Sequence, residues 1–365
     1  MRILHLIARM NVGGTATYLA NLISGLEDLG VENLLVMGNV PKGEAEDLVV
    51  SKLRYRRVDS LSRQLNFFKD IKARSEIEAI IKEFKPDLIH THTFKAGFLL
   101  RIRKRQIPLI HSFHGHHLYD PEFGLIKRSI LNFIERLLAP RAEKLITIGK
   151  KVGDELLATG IGRAEQYLSI APGISPIALE SDSEIRKRFG LSQDQVLVIW
   201  LGRFTQVKRP DRVLEIARLV PKAHFLMAGG GELLDQLKQG APDNLTFMGY
   251  QDKNQMWSIA DIALCTSDSE GMPLALIEAQ MAGVPVVSTD VGSVAEIVED
   301  GVTGRLAQKN NADLAAKVIE VMGEIEKSDE LSKASQKRAT REFSTEVMAK
   351  AHHNLYQRVL DKVTR

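Results

Sequence analysis

Four charged residues in the second half of the chain have types and spacings that suit ligand chemistry. Arg203 and Lys208 lie five positions apart, directly after the apolar run "QVLVIWLG". Glu270 and Glu278 lie eight positions apart in the stretch "SDSEGMPLALIEAQMAGVPVVS". Removing a carboxylate from water costs several kcal/mol unless a partner satisfies it. Charges of both signs beside apolar runs therefore predict either a surface location or a bound ligand.

The segment that carries the two glutamates is predicted to be a buried helix. Its residues are apolar nearly all round, Pro273 suits the first helical position, and Gly283 suits the end. Gly271 would let a ligand approach the free amides at the helix N-terminus. Two carboxylates in such a site need hydroxyl donors, and a sugar supplies these in pairs. The alternative is structural: Glu270 caps the helix, and Glu278 is a buried acid paired with an arginine.

Two further features suit an anionic ligand. Arg203 offers a bidentate fork and Lys208 a compact charge, which together favour a diphosphate, although solvated surface cations are common. After the first predicted strand, Gly13 and Gly14 precede a helix whose amides also suit an anion. The glycines do not form a GxGxxG fingerprint, and no acid follows the second strand at the right distance. No dinucleotide cofactor is therefore expected.

Histidines concentrate near two neighbouring predicted strand ends: His90, His92, His111, His114, His116 and His117. One interpretation is a zinc site, although no HExxH motif or acid-rich spacing supports it. The more economical interpretation is that one imidazole contacts a sugar hydroxyl. His114 precedes Gly115, where a backbone can come close to a ligand, and is the candidate for that contact. The other histidines are expected to be loop or structural residues.

Length and composition indicate a soluble protein of two domains. The chain has 365 residues, 44% of them hydrophobic and 26% charged, which exceeds one ordinary core. Its one cysteine, Cys265, excludes an intrachain disulfide and favours a reducing compartment. The apolar run in the start "MRILHLIARMNVGG" is too short for a signal peptide. No segment approaches the roughly 20 apolar residues that a membrane span requires. A cytoplasmic location is expected.

Twelve short apolar runs alternate with helix-like segments along the chain, which predicts parallel sheets. The composition changes at Ala171–Glu184, a stretch with two prolines, a glycine, serines and acids that is typical of a linker. Two doubly wound α/β domains therefore fit better than a single barrel. We expect a first domain over residues 1–172, a second over 185–344, and a final helix at about 345–365 that packs back on the first.

The positive charge is uneven. Residues 1–175 carry a net charge of +7 and the remainder −4, so an anionic partner is expected at the first domain. Two basic clusters stand out, Leu53–Arg63 and Leu99–Gln106. The second places four cations beside three apolar residues: Arg101, Arg103, Lys104 and Arg105 beside Leu99, Leu100 and Ile102. This pattern favours an anionic membrane surface, with solvated helix faces as the alternative. Nucleic acid is disfavoured because few aromatic residues interleave with the clusters.

Several stretches resemble one enzyme family. The motifs are "GRFTQVK" and "SEGMPLALIEAQMAGVPVV", with "GGTATYLANL", "FHG", "FMGY" and "VGSVAEIVEDGVTGRL". They are similar to those of the retaining glycosyltransferases of the large group 1 family, which have the GT-B architecture of two Rossmann-like domains facing a cleft. The resemblance extends over nearly the whole chain and implies metal-independent transfer of a sugar from a nucleotide-diphosphate sugar, most often a UDP sugar, to an acceptor hydroxyl.

The resemblance also implies roles for individual residues. Arg203 and Lys208 would hold the donor diphosphate, Glu278 the ribose hydroxyls, and Glu270 the transferred sugar. His114 would contact that sugar from the first domain. The remaining expected donor contacts are Gly14, Tyr250, Gly271, Met272, Pro273 and Leu274. The implied acceptor is a glycan or lipid-linked glycan of a cell-surface polysaccharide. The alternatives are a nucleotide-sugar epimerase or hydrolase on the same scaffold, and a non-catalytic protein that binds sugar nucleotides.

Overall fold

The computed structural model describes residues 1–115 and 124–363. Its chain contacts define two compact units. The first comprises Met1–Gly173 together with the segment that starts at Thr345, and the second comprises Ile174–Ser344. Each unit contains one parallel sheet with helices, which confirms the predicted fold class of two doubly wound α/β domains. Among the described helices, none combines the length and apolar character that a bilayer crossing requires.

The first unit is built on seven parallel strands: β1 Arg2–Ile7, β2 Glu32–Met37, β3 Tyr55–Arg57, β4 Leu88–His92, β5 Leu109–Phe113, β6 Lys144–Thr147 and β7 Tyr167–Ser169. Their order across the sheet is β3-β2-β1-β4-β5-β6-β7. In their described parts, the connections contain five helices: α1 Gly14–Glu27, α2 Phe67–Phe84, α3 Thr93–Arg101, α4 Leu125–Leu138 and α5 Lys150–Ala158. Short 3₁₀ turns occupy Leu48–Lys52, Ala139–Arg141 and Ala164–Gln166.

The second unit contains six parallel strands: β8 Val196–Leu201, β9 Ala223–Ala228, β10 Leu245–Gly249, β11 Ile262–Cys265, β12 Val286–Thr289 and β13 Gly304–Ala307. Their order is β10-β9-β8-β11-β12-β13. Its helices are α6 Asp182–Phe189, α7 Pro210–Leu219, α8 Leu234–Lys238, α9 Lys253–Ser258, α10 Leu274–Met281, α11 Val294–Ile297, α12 Asn311–Ile325 and α13 Glu330–Glu342, with a 3₁₀ turn at Gln206–Lys208.

A further helix, α14 at Thr345–Val363, belongs to the first unit and packs against α1. The hydroxyl of Tyr18 lies 3.0 Å from His352 Nε2, and the hydroxyl of Tyr356 lies 2.7 Å from His90 Nδ1. A Cβ at Gly25 of α1 would come within 2.7 Å of Ala349, so the small residue allows the two helices to approach closely. Buried hydrogen bonds and close packing therefore fix α14 on this unit.

Both sheets reverse their winding direction once, and this determines where ligands can bind. In the first sheet β1 lies between β2 and β4; in the second, β8 lies between β9 and β11. The connections after the two central strands lead to opposite faces of the sheet at such a point, and ligands bind beside the carboxyl ends of these strands. The central strands β1, β4, β8 and β11 are almost wholly buried, as parallel strands covered by helices on both faces must be. Ligand-binding residues are therefore expected in the loops that follow these central strands.

All twelve predicted strands are present, and β3 is an addition that the apolar-run criterion missed. It lies at the edge of the sheet within the basic cluster Leu53–Arg63 and exposes most of its side chains. Arg54 pairs with Glu32 at 2.7 Å and Arg56 with Glu83 at 2.9 Å. An edge strand of charged residues carries no hydrophobic signal, because ion pairs rather than core packing cover it.

The second basic cluster, Leu99–Gln106, lies only partly on the surface. Leu99 and Leu100 belong to the hydrophobic core. Arg101 is fully buried and donates to both carboxylate oxygens of Glu135, at 2.9 and 2.8 Å. The periodicity of α3 turns Leu99, Leu100 and Arg101 inward, whereas Ile102, Arg103 and Lys104, which follow the helix, are exposed.

Candidate functional site

The loops that follow β8 and β11 are tied together by backbone and side-chain hydrogen bonds. The amide of Asp268 donates to the carbonyl of Val207 at 2.9 Å, and the carboxylate of Asp268 accepts from Arg209 at 3.1 Å. The hydroxyl of Thr266 lies 3.0 Å from the carbonyl oxygen of Lys208. These contacts hold the first loop against the second, so the predicted cation and carboxylate segments become one structural element.

Lys208 and Glu270 meet at this junction. The Lys208 Nζ lies 2.6 Å from Glu270 Oε1, and the Ser267 hydroxyl donates to the same oxygen at 2.6 Å. Burial disfavours the ammonium, but the neighbouring carboxylate outweighs it, so the pKa of Lys208 is raised. An ammonium group has three N–H donors and Glu270 occupies one of them. Lys208 is thus held in place, remains charged, and retains donors for an anion.

Arg203 adds a second positive charge beside this pair. Its side chain is exposed, and its charge acts on Lys208, whose pKa it tends to lower. Within residues 1–115 and 124–363, Arg203 has no ion-pair partner, whereas Glu270 serves Lys208. Two cations and one carboxylate leave excess positive charge at the carboxyl end of β8, which suits a diphosphate. The structure therefore brings Arg203, Lys208 and Glu270 into one neighbourhood.

Glu278 lies on α10 and is buried, with only 4% of its surface exposed. Its Oε1 accepts from Lys253 Nζ at 2.8 Å, while Oε2 is buried and has no hydrogen-bond partner among the described residues. The partner is thus a lysine from the start of α9 and not the arginine that the structural alternative expected. A buried acceptor left unsatisfied costs about 1–3 kcal/mol, more when it is charged. Oε2 of Glu278 can therefore accept a hydrogen bond from a ligand hydroxyl, while Oε1 is held by Lys253.

Glycines shape the loops around these charges. A Cβ at Gly229, which has φ +130°, would lie 2.0 Å from the carbonyl oxygen of Gly202 in the loop that carries Arg203. A Cβ at Gly230 would lie 2.8 Å from the hydroxyl of Tyr250. Tyr250 itself follows β10 and is 81% exposed. Because Gly230 has no side chain, the Tyr250 ring lies close to the Gly230 backbone, and the exposed ring can stack against a planar group of a ligand.

The N-terminal approach to α10 contains the four predicted contact residues. Met272 and Leu274 are buried, whereas Gly271 and Pro273 are partly exposed. The Gly271 carbonyl accepts from the amide of Ser293 at 2.9 Å. The loop before α11 therefore supports this turn, a role that the analysis of the sequence did not assign. Ser293 lies within the quoted stretch "VGSVAEIVEDGVTGRL", whereas Lys253 lies in none of the quoted motifs, and each acts through a residue distant in sequence.

In the first unit, His114 lies just after β5 and is partly exposed. Its ring packs edge-on against Tyr18, with centroids 4.6 Å apart, and its Nε2 lies 3.1 Å from His92 Nδ1. Gly14 is the exposed first residue of α1, preceded by Gly13 with φ +150°. His114 and Gly14 are thus both accessible to a ligand of this unit.

The other histidines divide into buried residues and residues outside the described part. His90, His92 and His111 are fully buried within strands, as structural residues would be, while His116 and His117 lie outside the described residues. Ring nitrogens of His5, His90 and His92 lie within 4.8 Å of one another, a spacing that a metal ion accepts. Each of these imidazoles is nevertheless hydrogen-bonded through both nitrogens to protein groups. An ion would have to displace those bonds.

Two family models match consecutive stretches of the chain. The model described as "Glycosyl transferase 4-like domain" matches residues 13–173, and the model described as "Glycosyl transferases group 1" matches residues 181–338. The first match covers most of the first unit and the second includes Arg203, Lys208, Glu270 and Glu278. The chain belongs to the group 1 glycosyltransferases.

Individual relatives agree with this assignment. The glycosyltransferase is 24% identical over 323 residues to UDP-Gal:alpha-D-GlcNAc-diphosphoundecaprenol alpha-1,3-galactosyltransferase of Escherichia coli, which covers 80% of this chain and 83% of the relative. Its structure is similar to sucrose-phosphate synthase from Thermosynechococcus elongatus, with TM-score 0.86, 19% identity, and 99% and 100% of the two chains covered. It is also similar to Anabaena HepE, solved with UDP and glucose, with TM-score 0.82, 20% identity, and 98% and 99% covered. These structural similarities confirm the predicted GT-B fold class.

We expect Gly292→Ala to abolish glycosyl transfer. Gly292 has φ +54°, and a Cβ there would lie 1.7 Å from the carbonyl oxygen of Glu270. The loop would have to move, and the carboxylate with it. Gly301→Ala is the matched control, because Gly301 has φ +81° but open space around the added methyl group. Both variants carry a left-handed penalty of about 1–2 kcal/mol in the free energy of unfolding. Equal transfer rates in the two folded variants would contradict this interpretation.

Proposed function

We propose that this glycosyltransferase moves a hexose-type sugar from a UDP sugar to a hydroxyl of a lipid-linked or glycan acceptor, with retention of anomeric configuration. One arrangement carries the proposal: two cations at the reversal point of the second sheet, followed on α10 by a buried, half-satisfied carboxylate. A sugar nucleotide offers the matching groups, a diphosphate for the cations and hydroxyl donors for the acid. The E. coli relative, whose name contains UDP-Gal, and Anabaena HepE, solved with UDP and glucose, support this donor class.

The residues have distinct roles in holding the donor. Arg203 and Lys208 bind the diphosphate, and the second oxygen of Glu278 accepts from a ribose hydroxyl. Glu270, fixed by Lys208, accepts from a hydroxyl of the transferred sugar, with the backbone amides after Gly271 completing that pocket. In the first unit, Gly14 at the start of α1 offers an amide to a phosphate. The exposed ring of Tyr250 offers a stacking face to the nucleobase.

Catalysis follows from where charge develops. As the bond between the anomeric carbon and the diphosphate oxygen breaks, negative charge grows on the phosphate. The two cations and the amides before α10 stabilise that charge. The departing phosphate oxygen accepts the proton of the acceptor hydroxyl, whose oxygen bonds to the anomeric carbon on the same face. Retaining glycosidases use a carboxylate nucleophile instead, but Glu270 Oε1 already accepts from Lys208 and Ser267. With the cations in these positions, the proposal requires no metal ion.

The acceptor is assigned to the first unit, in which His114 offers a contact to a sugar hydroxyl. This unit carries the excess of positive charge, which suits a phosphate-linked acceptor. The E. coli relative acts, by its name, on a GlcNAc-diphosphoundecaprenol. A polyprenyl-phosphate-linked glycan at the inner face of the plasma membrane, elongated in the synthesis of a cell-surface polysaccharide, is the acceptor that we propose.

A nucleotide screen tests the donor. We expect UDP or a UDP sugar to raise the melting temperature, since ligand at 100 times its Kd adds about 2.7 kcal/mol to the free energy of unfolding. Glu278→Ala should weaken UDP binding about 10- to 100-fold, because hydrogen bonds to a charged group contribute about 1.5–3 kcal/mol. Calorimetric titration measures this change, with Glu215→Ala, an exposed acid of α7, as control. Undiminished UDP affinity in Glu278→Ala would assign Glu278 a purely structural role.

A second experiment tests catalysis by the cations. Arg203→Ala and Lys208→Ala should each lower kcat about 10²- to 10³-fold, the effect of losing one preorganised charge stabiliser. UDP release in the presence of a membrane lipid extract provides the assay, and circular dichroism verifies the fold. Arg218→Ala is the matched control, because this exposed arginine of α7 pairs with Glu215 instead. Near wild-type rates for both site variants would remove the cations from the mechanism, and equally fast UDP release without acceptor would indicate a hydrolase.

A further inference from the structure

The outer face of α4 exposes four large apolar side chains. Ile126, Ile130, Phe133 and Leu137 are 80%, 54%, 60% and 56% exposed. Their spacing of four, three and four residues places them in one stripe along the helix. A surface helix of a soluble unit normally turns such a stripe toward the core. In α4, Leu131 and other residues of a second stripe serve the core, so the first faces solvent.

Charge is distributed unevenly around this stripe. Lys127, Arg128 and Arg136 lie on α4, and the two that flank the stripe most openly, Lys127 and Arg136, are exposed. The only acid of the helix, Glu135, points inward and forms the buried pair with Arg101. The solvent side of α4 therefore combines apolar and cationic side chains without a carboxylate. That combination defines a helix that lies in the interface of an anionic bilayer.

We infer that α4 is the surface by which this glycosyltransferase docks on an anionic lipid membrane. The apolar stripe enters the boundary between headgroups and acyl chains, and the flanking cations contact lipid phosphates. A second copy of the chain is a poorer occupant, because two α4 helices packed face to face would bring cations against cations. The inference rests on the proposed lipid-linked acceptor, since a docked enzyme meets such an acceptor at the membrane surface.

Vesicle flotation at low and high salt tests the docking surface. The wild-type chain should float with vesicles of phosphatidylcholine and phosphatidylglycerol, bind phosphatidylcholine alone weakly, and lose binding as salt increases. The variant Ile130→Gln/Phe133→Gln should lose flotation at least tenfold. Phe67→Gln/Phe68→Gln is the matched control: both phenylalanines are exposed, at 74% and 81%, but they begin α2, whose first turn carries Asp70.

The outcomes separate docking from catalysis. We expect the α4 variant to keep the UDP-induced rise in melting temperature, because α4 carries none of the proposed nucleotide contacts. Loss of flotation in the α2 variant alone, or unchanged flotation of the α4 variant, would overturn the inference. A wild-type dimer in light scattering that the α4 substitutions convert to a monomer would assign the stripe to a second copy instead. Failure of the nucleotide screen would affect the proposed donor and leave the flotation result valid.

A line of hydrogen-bonded polar side chains crosses the first sheet and ends at His114. Asn33 on β2 contacts His5 on β1, which contacts His92 at the end of β4, which contacts His114. The respective separations are 3.2 Å from Asn33 Oδ1 to His5 Nε2, 3.2 Å from His5 Nδ1 to His92 Nε2, and 3.1 Å from His92 Nδ1 to His114 Nε2. The first three residues are buried, and only His114 reaches solvent.

The direction of hydrogen bonding along this line is determined at Asn33. Its Nδ2 donates to the carbonyl of Val31 at 3.1 Å, so its Oδ1 is the atom that faces His5 and can only accept. Burial lowers the pKa of His5 and of His114 to about 3, and that of His92 well below its usual range. Each ring is then neutral at pH 7 and carries one proton. A neutral imidazole that donates through one nitrogen must accept through the other.

We propose that Asn33 is a positioning residue that sets the tautomer of His114. His5 donates from Nε2 to Asn33, so its Nδ1 accepts from His92 Nε2. The Nδ1 of His92 in turn accepts from His114 Nε2. His114 is left with a lone pair on Nδ1, the nitrogen that remains for a ligand. A sugar hydroxyl at His114 is therefore bound as a donor, and His114 acts as an acceptor.

Long-range ¹H–¹⁵N correlation spectra of histidine-labelled protein test this proposal directly. In the wild type, His114 should show a protonated Nε2 and an unprotonated Nδ1. Asn33→Leu removes the terminal acceptor and should convert His114 to a mixture of tautomers. Ser112→Ala is the matched control, since it deletes a buried bond to His90 Nε2, which lies off the line. The spectrum of His114 should then remain that of the wild type.

Several results would overturn the proposal. A wild-type His114 protonated on Nδ1, or doubly protonated at pH 7, contradicts it even if Asn33→Leu fails to fold. An unchanged His114 tautomer in folded Asn33→Leu would show that Asn33 does not act through the line. Histidine resonances that shift when EDTA removes a bound ion would assign His5 and His92 to a metal instead.

Discussion

The junction between the loops after β8 and β11 is the constraint on which the candidate site depends. The two strands are neighbours in space although about sixty residues separate them in sequence, because the winding of the sheet reverses between them. The backbone bond from Asp268 to Val207 then locks one loop against the other. Lys208 and Glu270 can pair only because this junction exists. The same pair keeps the lysine charged in a largely buried place.

Much of this arrangement is visible in the sequence, and the reason is physical. Parallel strands covered by helices must be largely apolar, so twelve of the strands appear as apolar runs, and their alternation with helices predicts the fold class. The charges of the candidate site also stand out, since Arg203, Lys208, Glu270 and Glu278 occur beside such runs. The roles of these residues remain proposals, but their positions in adjacent loops and on α10 agree with a shared task.

Features that depend on partners distant in sequence were not predictable. Lys253 becomes the partner of Glu278 only through the packing of α9 beside α10, and nothing near Lys253 in the sequence indicates it. Arg101 was expected at the surface because charge alone does not reveal an internal acid such as Glu135. The edge strand β3 lacked a hydrophobic pattern altogether. The exposed stripe of α4 was overlooked for the opposite reason, since apolar periodicity is normally evidence of burial.

The return of α14 to the first unit has a consequence for biosynthesis. The second unit is continuous in sequence, from Ile174 to Ser344, and a ribosome delivers all of it before Thr345 emerges. The first unit must wait, because Tyr356 and His352 complete its buried histidine cluster only afterwards. During that interval the face of α1 that receives α14 lacks its cover and is open to solvent. The nascent chain can therefore finish its second unit first, and closure of the first is among the final steps of its maturation.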